Sequence, residues 1–165
     1  STHMRARYLV PVVLLAAISH HPAAEAFMFF KENYYCSPVQ GRIVLNGKPL
    51  GGVTVKRRIL NNGLPGGQLR DQTETDKNGN FSLPSVKNRT FLQPDLFASA
   101  TLIDQRLELV YEGKAVLIWD QTKSDFDPSS DANTPNGLIS LKCDLAHIEE
   151  TTIPGVMPFV KCSPE

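Results

Sequence analysis

An all-β sandwich of about seven short strands is the fold the sequence predicts. Turn signals rich in Gly and Asn punctuate the chain at short intervals, and apolar and polar residues alternate between them. Nothing beyond the N-terminal apolar run sustains a helical period. At 165 residues, with 41% hydrophobic and 21% charged side chains, the chain has the size and composition of one globular domain.

The strands follow in order. Val39 to Leu45 ends at Asn46-Gly47, and Val53 to Ile59 follows after a turn and loop that closes at Gly52. Lys56-Arg57-Arg58 within the second strand reads as a charged sheet edge that resists aggregation. Asn61-Asn62-Gly63 and Pro65-Gly66-Gly67 form a loop. Gln72 to Thr75, Asp76-Lys77-Asn78-Gly79 and Phe81-Ser82-Leu83 read as strand, turn and strand of one hairpin. A second hairpin joins Leu107 to Tyr111 with Ala115 to Trp119 through Glu112-Gly113-Lys114, and it should bury Trp119. Gly137 to Leu145 alternates Ile139, Leu141, Cys143 and Leu145 with Leu138, Ser140, Lys142 and Asp144, as a last core strand would. Asp95 to Arg106 has room for one helical turn.

Ser1-Thr2-His3 reads as an expression scar ahead of Met4. Residues 4–26 read as a secretory signal peptide: Arg5 and Arg7, the apolar run Tyr8 to Ile18, and Ala24-Glu25-Ala26 before the cleavage point. The apolar run is about half of the roughly 20 residues a membrane-spanning helix needs, so stable membrane insertion after cleavage is not expected. The single sandwich domain then occupies residues 27–165, in the periplasm or outside the cell. The chain carries 17 basic and 17 acidic residues; removing Arg5, Arg7 and Glu25 leaves 15 and 16. Near-neutral charge argues against nucleic acid as a partner. Three cysteines, Cys36, Cys143 and Cys162, imply one disulfide and one spare thiol in an oxidising compartment. The sequence leaves the pairing open. Cys143 with Cys162 is preferred, because it would staple the Pro-containing tail to the last strand.

Two stretches carry a family resemblance: Gly41-Arg42-Ile43-Val44-Leu45-Asn46-Gly47-Lys48-Pro49-Leu50-Gly51-Gly52-Val53-Thr54-Val55, and Thr73-Glu74-Thr75-Asp76-Lys77-Asn78-Gly79-Asn80-Phe81-Ser82-Leu83. They resemble the carboxypeptidase regulatory-like and transthyretin-like superfamily over roughly the first third of the domain. Tyr111-Glu112-Gly113-Lys114, Leu117-Ile118-Trp119 and Leu141 to Leu145 look like a group of small bacterial proteins within it. The resemblance implies a transthyretin-like (prealbumin-type) sandwich used for folding, adhesion or recognition. It does not by itself assign a function. The superfamily's hydrolytic branch uses histidines and a C-terminal tetrapeptide, which Lys161-Cys162-Ser163-Pro164-Glu165 does not match.

No nucleophile elbow, phosphate-binding glycine loop or zinc-protease helix appears, so no catalytic residue, cofactor or metal is assigned. His147 alone among the histidines lies in the domain, too few for a zinc site. Asp76, Asn78 and Asn80 have the alternate spacing of a calcium loop but lack the later bidentate acid, which favours a turn. Asn88-Arg89-Thr90 matches a glycosylation sequon without consequence in a bacterial protein. Asp125, Phe126, Asp127 and Asp131 lie in a Ser-, Pro- and Asn-rich stretch that reads by default as a solvated loop and alternatively as a partner-binding loop, in which an exposed Phe126 would be a contact anchor and a buried one would pin the loop. The expectation is therefore a non-enzymatic exported recognition protein that binds a protein partner, as an inhibitor or immunity-type protein does. The alternative is an envelope glycan-binding or structural accessory role.

Overall fold

A computed structural model describes residues 30–91 and 101–165. The segments expected to be an expression scar and a signal peptide, and the first part of the Asp95 to Arg106 segment, lie outside the described residues; Ile103 to Arg106 are strand, not helix. The described residues form ten strands: β1 (Phe30–Cys36), β2 (Val39–Leu45), β3 (Lys48–Pro49), β4 (Thr54–Leu60), β5 (Gln68–Glu74), β6 (Asn80–Leu83), β7 (Val86–Phe91), β8 (Ile103–Tyr111), β9 (Lys114–Lys123) and β10 (Ile139–Asp144). They exceed the expected seven chiefly because β1 and β7, which pair with each other, carry no clean alternation.

Two four-stranded sheets form the sandwich. One runs β5-β4-β8-β9, all antiparallel, and in the other β2 lies between β10 and the two short strands β3 and β6. The pairing of β10 with β2 is parallel, Ile139 beside Val39 through Asp144 beside Val44. The inner faces follow the period of two. Val39, Ile43, Phe81, Leu83, Ile139 and Leu141 meet Val55, Ile59, Leu107, Leu109, Val116 and Ile118 in one core. Gly41 stands among the first group because Phe81 lies across it: a Cβ there would collide with the ring and reach 2.8 Å from the Leu141 carbonyl.

The β8–β9 hairpin turns on Glu112 and Gly113, both at positive φ, as the two-residue turn requires. A bulge opposite Leu107 and Glu108 shifts the register, and Trp119, expected to be largely buried, packs partly buried against the core. The Asp76 turn also differs from expectation. The Asp76 carbonyl accepts the Gly79 N–H and the Asp76 N–H donates to the Asn80 carbonyl (both 2.9 Å), but β5 and β6 then enter different sheets: β6 pairs with β2. Gly79, at φ +78° with no room for a Cβ beside the Ile43 carbonyl, lets the chain cross.

Lys56-Arg57-Arg58 is not an edge. β4 is paired on both sides, and the pleat sends Arg57 inward (2% exposed) and Lys56 and Arg58 outward. Arg57 is satisfied by a forked bond to Asp71 (Nε to Oδ1 2.9 Å, Nη2 to Oδ2) and by the Pro84 carbonyl at 2.7 Å.

The C-terminal tail covers the edge strands β9 and β10. Leu117 of β9 donates to Pro158 (2.9 Å) and accepts from Val160 (3.0 Å), while Lys142 of β10 exchanges two hydrogen bonds with Ser163. A Cys143–Cys162 disulfide fastens the tail, the preferred pairing, and leaves Cys36 free and buried.

Candidate functional site

The connection from β9 to β10, residues 124–138, holds all four residues expected to form a binding loop. It contains no strand, yet three anchors order it. In the first, Asp131 is buried beside Lys123, Nζ to Oδ2 3.5 Å, with both side chains almost wholly shielded. Its Oδ2 accepts the Ser37 N–H at 3.0 Å and its Oδ1 the Ser37 hydroxyl at 2.6 Å; Lys123 also donates to the Asp127 carbonyl at 3.1 Å. Asp131 therefore holds the loop rather than presenting it, which corrects its expected place on a contact surface.

The second anchor is Phe126. Its ring meets Tyr35 edge-on at 5.2 Å and its carbonyl accepts the Tyr34 N–H at 3.2 Å. Half-buried, it pins the loop to β1 instead of standing out as an aromatic contact. In the third, the Asn133 amide mimics a strand beside β10, giving to the Ser140 carbonyl and taking from its N–H, both at 2.7 Å.

Asp125 and Asp127 are exposed, as expected, and each is fixed by its own turn. Asp125 Oδ1 accepts from Asp127 N (2.9 Å) and Ser130 Oγ (2.7 Å); Asp127 Oδ1 accepts from Ser129 N (2.8 Å) and Ser129 Oγ (2.6 Å). The Ser129 hydroxyl and amide hold the Asp127 carboxyl below its ordinary range. Neither second oxygen has a partner among the described residues. The loop thus offers two oriented carboxylates and the Ser129 and Ser130 hydroxyls on a rigid base.

Two features escaped sequence reasoning. The Lys123–Asp131–Ser37 cluster joins residues 94 positions apart, and no local pattern marks such a contact. The other is a groove of about 770 Å³ over the outer face of the β10-β2-β6 sheet, walled by Gln40, Asn80, Ser82, Thr134, Asn136 and Ser140. Glu74, Asp76 and Glu165 also line it, together with the apolar Phe81, Pro135 and Leu138. Asp76 Oδ1 is taken by the N–H groups of Asn78 and Asn80, both at 2.9 Å, which is turn chemistry.

Among the described residues no three His, Cys, Asp or Glu side chains gather as metal ligands, and no helix is long and apolar enough to cross a membrane. Cys36 lies beside Arg57, Nη1 to Sγ 3.8 Å, but burial outweighs that charge and pushes its thiol up to about 11, the reverse of an activated nucleophile. The chain matches no curated protein. It belongs to the family described as Domain of unknown function (DUF6795), which it matches over residues 39–147.

Proposed function

We propose that this member of the DUF6795 family is an exported recognition module without catalytic chemistry, and that it binds a protein partner through the 124–138 loop as an inhibitor or immunity-type protein does. The observation that carries this reading is the loop's construction. Structureless connections of more than about 12–15 residues are uncommon in compact domains, and those that are ordered mostly serve binding. This one is ordered by a buried ion pair while Asp125 and Asp127 face solvent. Pre-ordering lowers the entropy lost on association, and the carboxylates suit a basic patch on the partner.

Export is supported by the disulfide and by the signal-peptide pattern of residues 4–26, with Phe27 as the expected first residue after cleavage. The resemblance to the carboxypeptidase regulatory-like and transthyretin-like superfamily, whose members mostly supply recognition modules, agrees with this reading. The test is capture from a native periplasmic extract with the wild-type chain and with Asp125→Asn/Asp127→Asn. Asn keeps the Oδ1 acceptor of each turn and removes the charge. One stoichiometric protein, lost with the double variant, supports the proposal; equal capture by both chains contradicts it.

The hydroxyl- and amide-lined groove over β2, β6 and β10 favours a second reading, binding of an envelope glycan. Saturable binding of a purified envelope polysaccharide, abolished by Gln40→Ala, supports that reading instead.

A further inference from the structure

The outer face of the β5-β4-β8-β9 sheet carries an arrangement that folding alone does not favour. Arg58 on β4 stands directly opposite Arg70 on β5 and directly opposite Arg106 on β8, so three guanidinium groups lie side by side across adjacent strands. Lys56, one pleat along on the same face, adds a fourth cation. Like charges in directly opposed positions destabilise a sheet. Strands about 4.8 Å apart hold these three within reach of a single group.

Acids share the face, Asp120 on β9 directly opposite Arg106 and Glu108 on β8 directly opposite Lys56, but neither forms an ion pair with the cation it faces. Arg58 touches Asp104 only at 3.7 Å, Arg70 gives its Nε to Gln68 at 3.2 Å, and neither the Lys56 nor the Arg106 side chain has a hydrogen-bond or ion-pair partner among the described residues. Arg58 Nε is buried and unpartnered, although the side chain as a whole remains 28% exposed. A depression of about 420 Å³ opens over this point, walled by Lys56, Arg58, Arg70 and Arg106 with Glu108 as the one unpaired acid, since Asp71 is taken by Arg57.

The geometry points to an oxyanion site: the Arg70-Arg58-Arg106 row binds a tetrahedral phosphate or sulfate group, with Arg58 at its centre. Guanidinium forks match such oxygens in pairs, and three of them converge on one or two groups from one plane. The group could belong to a soluble ligand or to a phospholipid headgroup; the site reads the shared oxyanion.

The full chain, ¹⁵N-labelled, is titrated with inorganic phosphate at low ionic strength, with sodium chloride at equal ionic strength as control. In parallel it is sedimented with phosphatidylglycerol or phosphatidylcholine vesicles. The expected result is a saturable shift of the Arg58 Nε–H and of neighbouring β4 and β8 amides by phosphate but not chloride, weakened about tenfold or more in Arg58→Gln and in Arg106→Gln. Lys161→Gln, on the tail, should bind as wild type. Saturation by phosphate marks a soluble ligand as sufficient; sedimentation with phosphatidylglycerol alone, lost in the same variants, marks the headgroup as the source. Because both variants remove like-charge repulsion, their melting temperatures should equal or exceed that of wild type, which separates lost binding from lost folding. A response to phosphate equal to that to chloride with no vesicle binding, or variants that bind like wild type, would overturn the site.

Discussion

Asp131→Ala removes one partner of an ion pair whose side chains are 2% and 0% exposed. The Lys123 ammonium then keeps only the Asp127 carbonyl at 3.1 Å, and the Ser37 N–H loses its acceptor at 3.0 Å. Breaking a buried pair from one side costs about 3–5 kcal/mol, because a charge is left uncompensated. That is a large part of the roughly 5–15 kcal/mol by which a domain is stable. Lys123→Met/Asp131→Leu removes both charges and leaves chiefly the unsatisfied Ser37 N–H, worth about 1–3 kcal/mol. The double variant should therefore be more stable than Asp131→Ala alone. Urea denaturation followed by Trp119 fluorescence reads both, with the slope checked for two-state behaviour. A cost below about 1 kcal/mol for Asp131→Ala, or a double variant as unstable as the sum of its singles, would refute the claim that this pair fastens the loop.

Other outcomes follow from the same structure. Gly41→Ala pushes a methyl into the Phe81 ring and toward the Leu141 carbonyl and should destabilise by about 1–3 kcal/mol in thermal melts. The Cys143–Cys162 bridge spans 19 positions and limits the unfolded chain by about 3 kcal/mol, so reduction should lower the melting temperature by several degrees. Thiol counting on the denatured, unreduced protein should find one free group, Cys36. Burial holds the Cys36 proton to about pH 11 against an ordinary 9.0, so the folded chain keeps a proton that the unfolded chain releases. Its contribution to stability is complete below pH 9 and lost as pH rises through 11, and alkylation of the native thiol at pH 8 should be far slower than of the denatured one.

Much of the sandwich is legible in the sequence because its inner positions alternate: Ile139, Leu141 and Cys143 on β10 and Leu107 and Leu109 on β8 reveal their faces without help. Turns are legible where glycine is required, as at Gly113. What fails is the assignment of neighbours. The Asp76 turn carries hairpin chemistry, but only the tertiary fold decides that β6 joins β2 rather than β5. Lys56-Arg57-Arg58 looks like an edge because three cations in a row resemble edge protection, whereas Asp71 across the strand lets Arg57 enter the core. Of the four loop residues, Asp125 and Asp127 face solvent. Asp131 and Phe126 turn inward because Ser37, Lys123 and Tyr35, distant or unremarkable in sequence, receive them.

Hydrogen exchange on the free chain and on the complex captured from native extract tests the central claim most directly. Amides of residues 124–138 should exchange more slowly in the complex than in the free chain, with the outer faces of both sheets unchanged. Protection confined to the β10-β2-β6 groove and its Thr134 and Asn136 wall, with residues 124–131 exchanging as in the free chain, would contradict the assignment of the Asp125 and Asp127 part of the loop as the binding surface.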